Sequence, residues 1–560
     1  MLTYPRFTPH FVKEMWSLPR ILEHQARTIG DCPFLQWTGR GATMSFAEVN
    51  RQANRLAHGL ARLGVGRDSR IVLFLPNCLE LVLVWFAANK LGAVEVPINT
   101  AYRGTFLEHQ VNTCRAEVIL VAAEMLDRVA ESLPRMPALK HVIVWSSDRE
   151  CAALPTLPGC SVVTLGSLYD DNTADPAVEV GPRDLAAILF TSGTTGLSKG
   201  VRMPHAQLYF FSEQCVQLVR LEADDTYMTA FPLFHGNAQF LTLYPCLIAG
   251  ARCVLYERFS ASEWVDRLHD SGATVTNSLG VTMPFTFAQP PTPRDSTHKL
   301  RRIMAAPSPH DMLAAFRDRF GVEQFVEGFG QTEICMPFMT PPGVKRPKGA
   351  CGVLVDQWFD VRLVDPQTDE EVPVGQIGEL IVRSREPWTL SAGYANMPEK
   401  TLEAYRNLWF HTGDALRRDA EGWYYFVDRI KDALRRRGEN ISSFEVEEPI
   451  RDHPAVADVA VIAVPADVAA GEDEVKACVV LKQGSTLSAP ELAAWCESRM
   501  PYFVVPRYIE FIDTMPKTPS EKIQKIELRK AGVTPQTWDR VQAGYRLKEE
   551  IERDRRRRPV

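Results

Sequence analysis

Residues 189–201 read LFTSGTTGLSKGV. These thirteen residues carry three glycines, five hydroxyl side chains and a single lysine. They follow DLAAILF, an apolar run with the character of a buried strand, and precede PHAQLYFFSEQCVQLV, a helical stretch. A glycine-rich turn between a strand and a helix can aim backbone N–H groups at an anion, with hydroxyls and a lysine to help. A flexible surface loop has the same composition, so two readings compete. The Walker A pattern is excluded, because Lys199 is followed by Gly200 rather than Ser or Thr.

The flanking sequence supplies the fold class. Before the loop, FAEVNRQANRLAHGLARLG (46–64) has helical periodicity, RIVLFLP (70–76) reads as a buried strand, and ELVLVWFAANKLG (80–92) as a second helix. VEVPI (94–98), AEVILVAAE and HVIVWSS read as further strands. After the loop, WVDRLHDSG reads as a helix end and ATVTNSLG as a strand. Short apolar strands alternating with helices predict layered α/β structure with much parallel sheet. Beyond about residue 350, VRLVD, GELIVRS and WYYFVDR predict a β-rich subdomain.

A last unit follows: FEVEEPIRDHP (helix), VADVAVIAVPAD and EVKACVVLK (strands), ELAAWCESRM (helix) and YIEFID (strand). It has the size and pattern of a small α+β domain. Residues 428–440, DRIKDALRRRGEN, replace apolar periodicity with charge and mark the junction. The expected division is a large N-terminal domain over 1–430 and a small C-terminal domain over 431–560.

Composition narrows the function. A chain of 560 residues exceeds one hydrophobic core, and a formal net charge of −6 speaks against a dedicated nucleic-acid binder. The twelve cysteines include no CxxC pair, so neither a zinc site nor a dithiol motif is indicated; reduced thiols in a cytoplasmic protein are expected. The N-terminus lacks the pattern of a secretory signal, and no run reaches the ~18 apolar residues of a membrane span. The tail, EEIERDRRRRPV, reads as a solvated helix end.

Three further stretches can carry chemistry. In FVEGFGQTE (325–333), Glu333 suits Mg²⁺ held by one carboxylate together with nucleotide phosphate oxygens, and Phe329 suits a flat base; an ordinary strand-turn is the alternative. In WFHTGD (409–414), the two oxygens of Asp414 can accept from two ribose hydroxyls, although TGD is also a common turn. In PKTPSEKIQK (516–525), a lysine can neutralise charge between a carboxylate and a phosphate, or simply be solvated.

In this order, TSGTTGLSKGV, FHGN (234–237), GFGQTE, WFHTGD, DRIKDALRRRGENISSFEVE and PKTPSEK resemble the adenylate-forming superfamily of acyl-CoA synthetases, luciferases and peptide-synthetase adenylation domains. The wording FVDRIKDALRRRGENIS is most similar to carnitine/crotonobetaine-CoA ligases and related bacterial acyl-CoA ligases. The resemblance implies an acid-thiol ligase with ATP, Mg²⁺ and CoA, a small carboxylic acid substrate, and a role in acid or fatty acid metabolism. It leaves room for a homo-oligomer.

By matching motif, Thr191, Ser192, Gly193, Thr194, Thr195, Gly196 and Lys199 would hold the β- and γ-phosphates. Thr332 would contact the α-phosphate and Glu333 the Mg²⁺. Glu327, Gly328 and Phe329 would flank the adenine, and Asp414 and Arg429 the ribose. Lys522 would be the catalytic lysine of adenylation and Asp432 the hinge of a mobile small domain. Gly438 would line the pantetheine tunnel. A luciferase-like or adenylate-only enzyme, or a non-catalytic binding protein, is the alternative.

The sequence departs from the family's pattern in two places: Glu521 stands where a glycine precedes the catalytic lysine, and MAAPSPH (304–310) has alanines in place of glycines. By analogy the acyl pocket involves His235, Gly236, Asn237, Gly280, Val281, Phe329, Ile334 and Pro337. His235 would gate this pocket or pack within it. Phe234, Phe240 and Phe285 could cage a betaine or could be plain core. The polar groups at His235 and Asn237 favour a short or medium acid over a long fatty acid.

Overall fold

The computed structural model describes residues 2–147, 154–191, 198–278, 282–306, 308, 312–429, 434–436, 439–441, 443–466, 473–516, 523 and 525–548. The chain divides into two compact units. One comprises Met1–Thr100, Val111–Phe190 and Gly200–Ile430; the other comprises Ala101–Gln110, Thr191–Lys199 and Lys431–Val560.

The larger unit is built on three seven-stranded sheets. In the first, Arg70–Phe74 lies between Val94–Pro97 and Val118–Ala122, and His141–Trp145 and Ser161–Thr164 extend it in parallel. The strand before the glycine-rich loop, Leu185–Thr191, joins the other side of this sheet through Glu95↔Ala187. The helices Phe46–Arg62 and Leu79–Lys90 fall where the periodicity places them. Ser45 starts the former by accepting from the Glu48 N–H, a cap that satisfies one of the orphan donors of its first turn. Leu79–Lys90 is buried on nearly every side, which accounts for the apolar run over residues 81–88.

The second sheet carries Gln324–Val326, Arg302–Ala305, Val275–Ser278, Thr226–Thr229, Arg252–Leu255 and Pro33–Trp37 in parallel, with Ala42–Ser45 antiparallel at its edge. The carboxyl ends of parallel strands are where ligand crevices form in open α/β sheets.

The third sheet is antiparallel throughout and runs from Gly328–Gln331 through Cys335–Met339 and Ala350–Leu354 to Trp423–Arg429, Phe410–Arg418, Ile377–Ser384 and Phe359–Val364. Here the structure refines the sequence reading of WFHTGD. The TGD residues lie within strand Phe410–Arg418, and Gly413 takes φ +70° where the ladder shifts register. Glycine supplies a backbone shape that other residues resist, so a composition that suggests a turn here makes a bulge.

The smaller unit has a four-stranded sheet of Val456–Pro465, Asp473–Leu481, Tyr508–Phe511 and Trp538–Asp539. Helices Ser443–Arg451 and Ala489–Glu497 contribute Val446, Ile450, Leu492 and Ala493 to its core against Val459, Val461 and Val475. Ser488 and Glu491 form a complete capping box at the start of Ala489–Glu497.

Candidate active site

The chemistry-bearing residues of the larger unit converge at the edge where the third sheet begins. Gly328–Gln331 and Cys335–Met339 form a tight antiparallel pair, and Thr332 and Glu333 occupy the connection between them. A Cβ on Gly330 would lie 1.9 Å from the Cys335 carbonyl oxygen, so that position is closed to any side chain. Cys335 itself sits at φ +58°, a left-handed conformation that costs energy for a non-glycine residue and clusters at functional sites.

The connection is held from outside. Gln207, on helix His205–Val219 that follows the glycine-rich loop, donates through Nε2 to the carbonyls of Thr332 at 2.8 Å and Glu333 at 3.2 Å. The Ser391 N–H donates to the Glu333 carbonyl at 2.9 Å. The Glu333 carboxylate is buried, and its Oε1 accepts from the Tyr394 hydroxyl at 3.0 Å. Burial, followed by the charge of Glu333, drives the Tyr394 phenol far above its ordinary value, so it stays a donor. Tyr405 braces Ser391 in turn, its hydroxyl donating to the Ser391 carbonyl at 2.8 Å.

Motifs more than eighty residues apart meet here. Gln331 Nε2 donates to Asp414 Oδ2 at 2.6 Å and to the Thr412 carbonyl at 3.1 Å, which joins GFGQTE to WFHTGD. The bulge at Gly413 is fixed by Glu379, whose Oε1 accepts from the Gly413 N–H at 3.1 Å while Oε2 faces His411 Nδ1 at 3.1 Å. Asp414 is opposite Arg429 in the ladder. The ring of Phe329 is half-buried, 5.9 Å from Phe338 and 6.0 Å from Phe426 between ring centres.

Glu327 has a different character from a free acceptor. Its buried carboxylate pairs with Arg346 Nη1 at 2.6 Å and accepts from the Ser308 N–H at 3.0 Å. Burial raises its pKa, and Arg346 opposes that rise without cancelling it. Glu327 therefore ties Ser308 to the strand that carries Phe329. Sequence reasoning named Glu327 but missed Arg346, Gln207 and Tyr394.

His235 follows the turn at Pro232, to whose carbonyl its N–H donates at 3.1 Å, and is half-buried with its ring 4.7 Å from that of Phe234. After one α-helical turn at Gly236–Ala238, the helix becomes a π-helix over Gln239–Leu243, a geometry frequent at functional sites. The three phenylalanines suggested as a betaine cage have different settings. Phe240 is fully buried against Trp85 and Phe211, whereas Phe285 is half exposed. Thr191 ends its strand and Lys199 begins the next, both in the smaller unit. Ser192, Gly193, Thr194, Thr195, Gly196, Gly280, Val281, Asp432, Gly438, Glu521, Lys522 and the basic tail lie outside the described residues.

Glu333, Asp414 and Phe329 are thus gathered at one edge of the larger unit, with Glu333 braced by Tyr394 and Asp414 by Gln331. The profile of the family described as AMP-binding enzyme matches residues 22–395, and that of the AMP-binding enzyme C-terminal domain matches residues 445–522. The chain belongs to the AMP-binding enzyme family. Crotonobetaine/carnitine–CoA ligases are similar over nearly the full length. That of Proteus mirabilis is 33% identical over 525 residues, covering 92% of this chain and 98% of the relative. That of Salmonella paratyphi B is 32% identical over 492 residues, covering 87% and 93%.

Among solved structures, the anthranilate CoA ligase AuaEII in complex with anthranoyl-AMP is 27% identical with a TM-score of 0.68, covering 93% of this chain and 98% of its own. ATP-bound MatB from Rhodopseudomonas palustris is 26% identical with a TM-score of 0.66, covering 92% and 99%. The protein is an ATP-dependent acid–CoA ligase that works through an acyl-adenylate. Among the described residues no helix is long and apolar enough to cross a membrane.

Proposed function

We propose that the residues around Thr332, Glu333 and Asp414 bind ATP for attack by a carboxylate, and that Lys522 joins them in the adenylation step. The observation that carries this reading is the Gln331–Asp414 hydrogen bond of 2.6 Å, which makes one site of two separate motifs. In the first half-reaction a carboxylate oxygen of the acid attacks the α-phosphorus, and the bond to pyrophosphate breaks. Thr332 holds the α-phosphate, Asp414 the ribose, and Phe329 the adenine face. Lys522 offsets the negative charge shared by carboxylate and phosphate. In the second, the CoA sulfur attacks the acyl carbonyl carbon, AMP leaves, and the thiol proton is released. Positioning and charge stabilisation supply the rate in such chemistry.

The donor set suits Mg²⁺. Among the described residues no cluster of three or more His, Cys, Asp or Glu side chains could hold a metal by itself. Mg²⁺ is commonly bound through one or two carboxylates with substrate phosphates completing the shell, and Glu333 offers one. The bound ion would offset charge on the phosphates. Tyr394 occupies one oxygen of Glu333 and so fixes how the carboxylate faces the nucleotide. Tyr394→Phe is therefore expected to raise the Mg²⁺ concentration needed for half-maximal stabilisation by ATP about tenfold, as for other groups that orient a metal ligand. Thermal shifts with ATP alone should be unchanged. A variant with ordinary Mg²⁺ dependence would show that Tyr394 is only a packing residue.

The test of the whole reading is product stoichiometry. With ATP, Mg²⁺, a mixture of acids and CoA, AMP and pyrophosphate should form in equal amounts with an acyl-CoA. Without CoA the acyl-adenylate should accumulate. ADP formation would overturn the reading, and acid-dependent pyrophosphate release that never yields a thioester would identify an adenylate-only enzyme. The names of its relatives point to unlike acids, a betaine and an aminobenzoate, and support no single one.

A further inference from the structure

The end of the glycine-rich stretch is gripped by two side chains from distant parts of the sequence. Ser198, the residue before Lys199, is buried. Its N–H donates to Oε1 of Glu445, on helix Ser443–Arg451. Its carbonyl oxygen accepts from Nε2 of His109, on helix Thr105–Cys114, at 2.8 Å. Burial lowers the His109 pKa, so the ring is neutral, and its proton lies on Nε2 because a carbonyl can only accept. Ser198, His109 and Glu445 all belong to the smaller unit. Both peptide groups that flank the Ser198 Cα are therefore held, and they set the direction in which the backbone enters Lys199.

The grip is costly, which separates it from ordinary packing. Glu445 is buried, and burial pushes its carboxyl up to about 7 against the lowering effect of the Ser198 donors. Among the described residues it has no ion-pair partner, and Ser198 alone donates to it. A buried carboxyl without a counter-charge is a poor source of stability.

The supports behind it are firm. Glu447, two residues on, accepts from the Val461 N–H at 2.7 Å and pairs with Lys525 at 2.5 Å. Lys525 also donates to Ser443 Oγ at 2.7 Å. Val446 and Ile450 enter the core of the unit, against which Tyr102 and Phe106 also pack. The two helices that reach Ser198 thus stand on one core, and groups with packed, hydrogen-bonded supports keep their geometry.

We propose that Glu445 and His109 are positioning residues for Lys199, which they aim at the β- and γ-phosphates of ATP by fixing the peptides on either side of Ser198. The inference rests on the reading of this stretch as the phosphate-binding loop of an acid–CoA ligase. Neither residue touches the nucleotide in this scheme; each acts through the backbone that delivers the lysine.

The test is calorimetric titration of the full chain with Mg²⁺–ATP and, separately, with AMP, which lacks the phosphates that Lys199 would meet. Glu445→Ala and His109→Ala should each weaken ATP about tenfold, a part of the ~10²-fold that a misplacement of about 1 Å can cost, and leave AMP unchanged. Glu445→Gln and His109→Gln, which keep an acceptor and a donor, should bind ATP almost as the native protein does. Glu445→Asp withdraws the carboxyl by one methylene without emptying the site; it should weaken ATP as Glu445→Ala does, and it serves if that variant does not fold. In a Lys199→Ala background, Glu445→Ala should cost nothing more, because both act through one side chain. Equal losses for ATP and AMP would make the two residues structural and overturn the proposal. Unchanged ATP affinity in Glu445→Ala, Glu445→Asp and His109→Ala, with Lys199→Ala weakened, overturns the grip and leaves the loop reading intact. Additive losses in the Lys199→Ala background overturn the route through that lysine. Native ATP affinity in Lys199→Ala itself overturns the loop reading, and the proposal with it.

Discussion

Lys522→Ala is expected to slow acyl-adenylate formation by ~10²-fold or more, the usual loss when a preorganised electrostatic group is removed from a transition state. Thioester formation from supplied acyl-adenylate should fall far less, because the charge that the lysine offsets exists only while carboxylate and α-phosphate are joining. Lys522→Arg tests the geometry separately: it keeps the charge and alters its shape. Glu521, beside it in sequence, puts a negative charge near this ammonium, so Glu521→Gly reports whether that neighbour competes for its contacts. Equal loss in both half-reactions after Lys522→Ala would remove the lysine from the adenylation step.

Arg346→Met should unfold the protein more easily by about 3–5 kcal/mol, the cost of leaving one member of a buried ion pair without its partner. The deficit should depend on pH. Burial raises the Glu327 pKa above its unfolded value, and Arg346 is the main force that holds it down. Without the arginine the folded pKa rises further. A carboxyl with a raised folded pKa contributes stability below its unfolded pKa and loses it as pH rises through the folded one. The variant should therefore be closest to the native protein near pH 5 and furthest from it near pH 8, measured as urea midpoints. Adding Glu327→Gln to Arg346→Met should flatten this difference. A deficit that is the same at both pH values would mean that Arg346 acts through its packing and its bond to the Ala350 carbonyl alone.

These two residues illustrate what a sequence can reveal. Lys522 belongs to a short motif, so the role proposed for it rests on neighbours a few positions away. Arg346 stands in PGVKRPKG, a stretch with the look of a solvated loop, and acquires its meaning only by meeting Glu327 in the folded chain. The same applies to Tyr394 and Gln207, which reach Glu333 or its backbone across 61 and 126 residues. Local periodicity, by contrast, is a property of each segment. The strands at Arg70–Phe74 and Val118–Ala122 and the helix at Phe46–Arg62 could be read directly from the spacing of their apolar residues. Asp414 lies between these cases: the motif identified the residue, but glycine content suggested a turn where the ladder continues through a bulge. Hydrogen-bond partners in a sheet are set by register, and register is not written in any one strand.

The Gly330 position has an evolutionary consequence. With the Cys335 carbonyl oxygen 1.9 Å from where a Cβ on Gly330 would sit, and with Met339 N 2.6 Å from that of Gly352, main chain occupies the space that substitutions need. This part of the enzyme can drift very little. Mutation is thus channelled away from these two glycines, and variation that persists in descendants of this sequence falls elsewhere. For directed evolution, libraries that touch Gly330 or Gly352 would be spent largely on protein that cannot form this sheet.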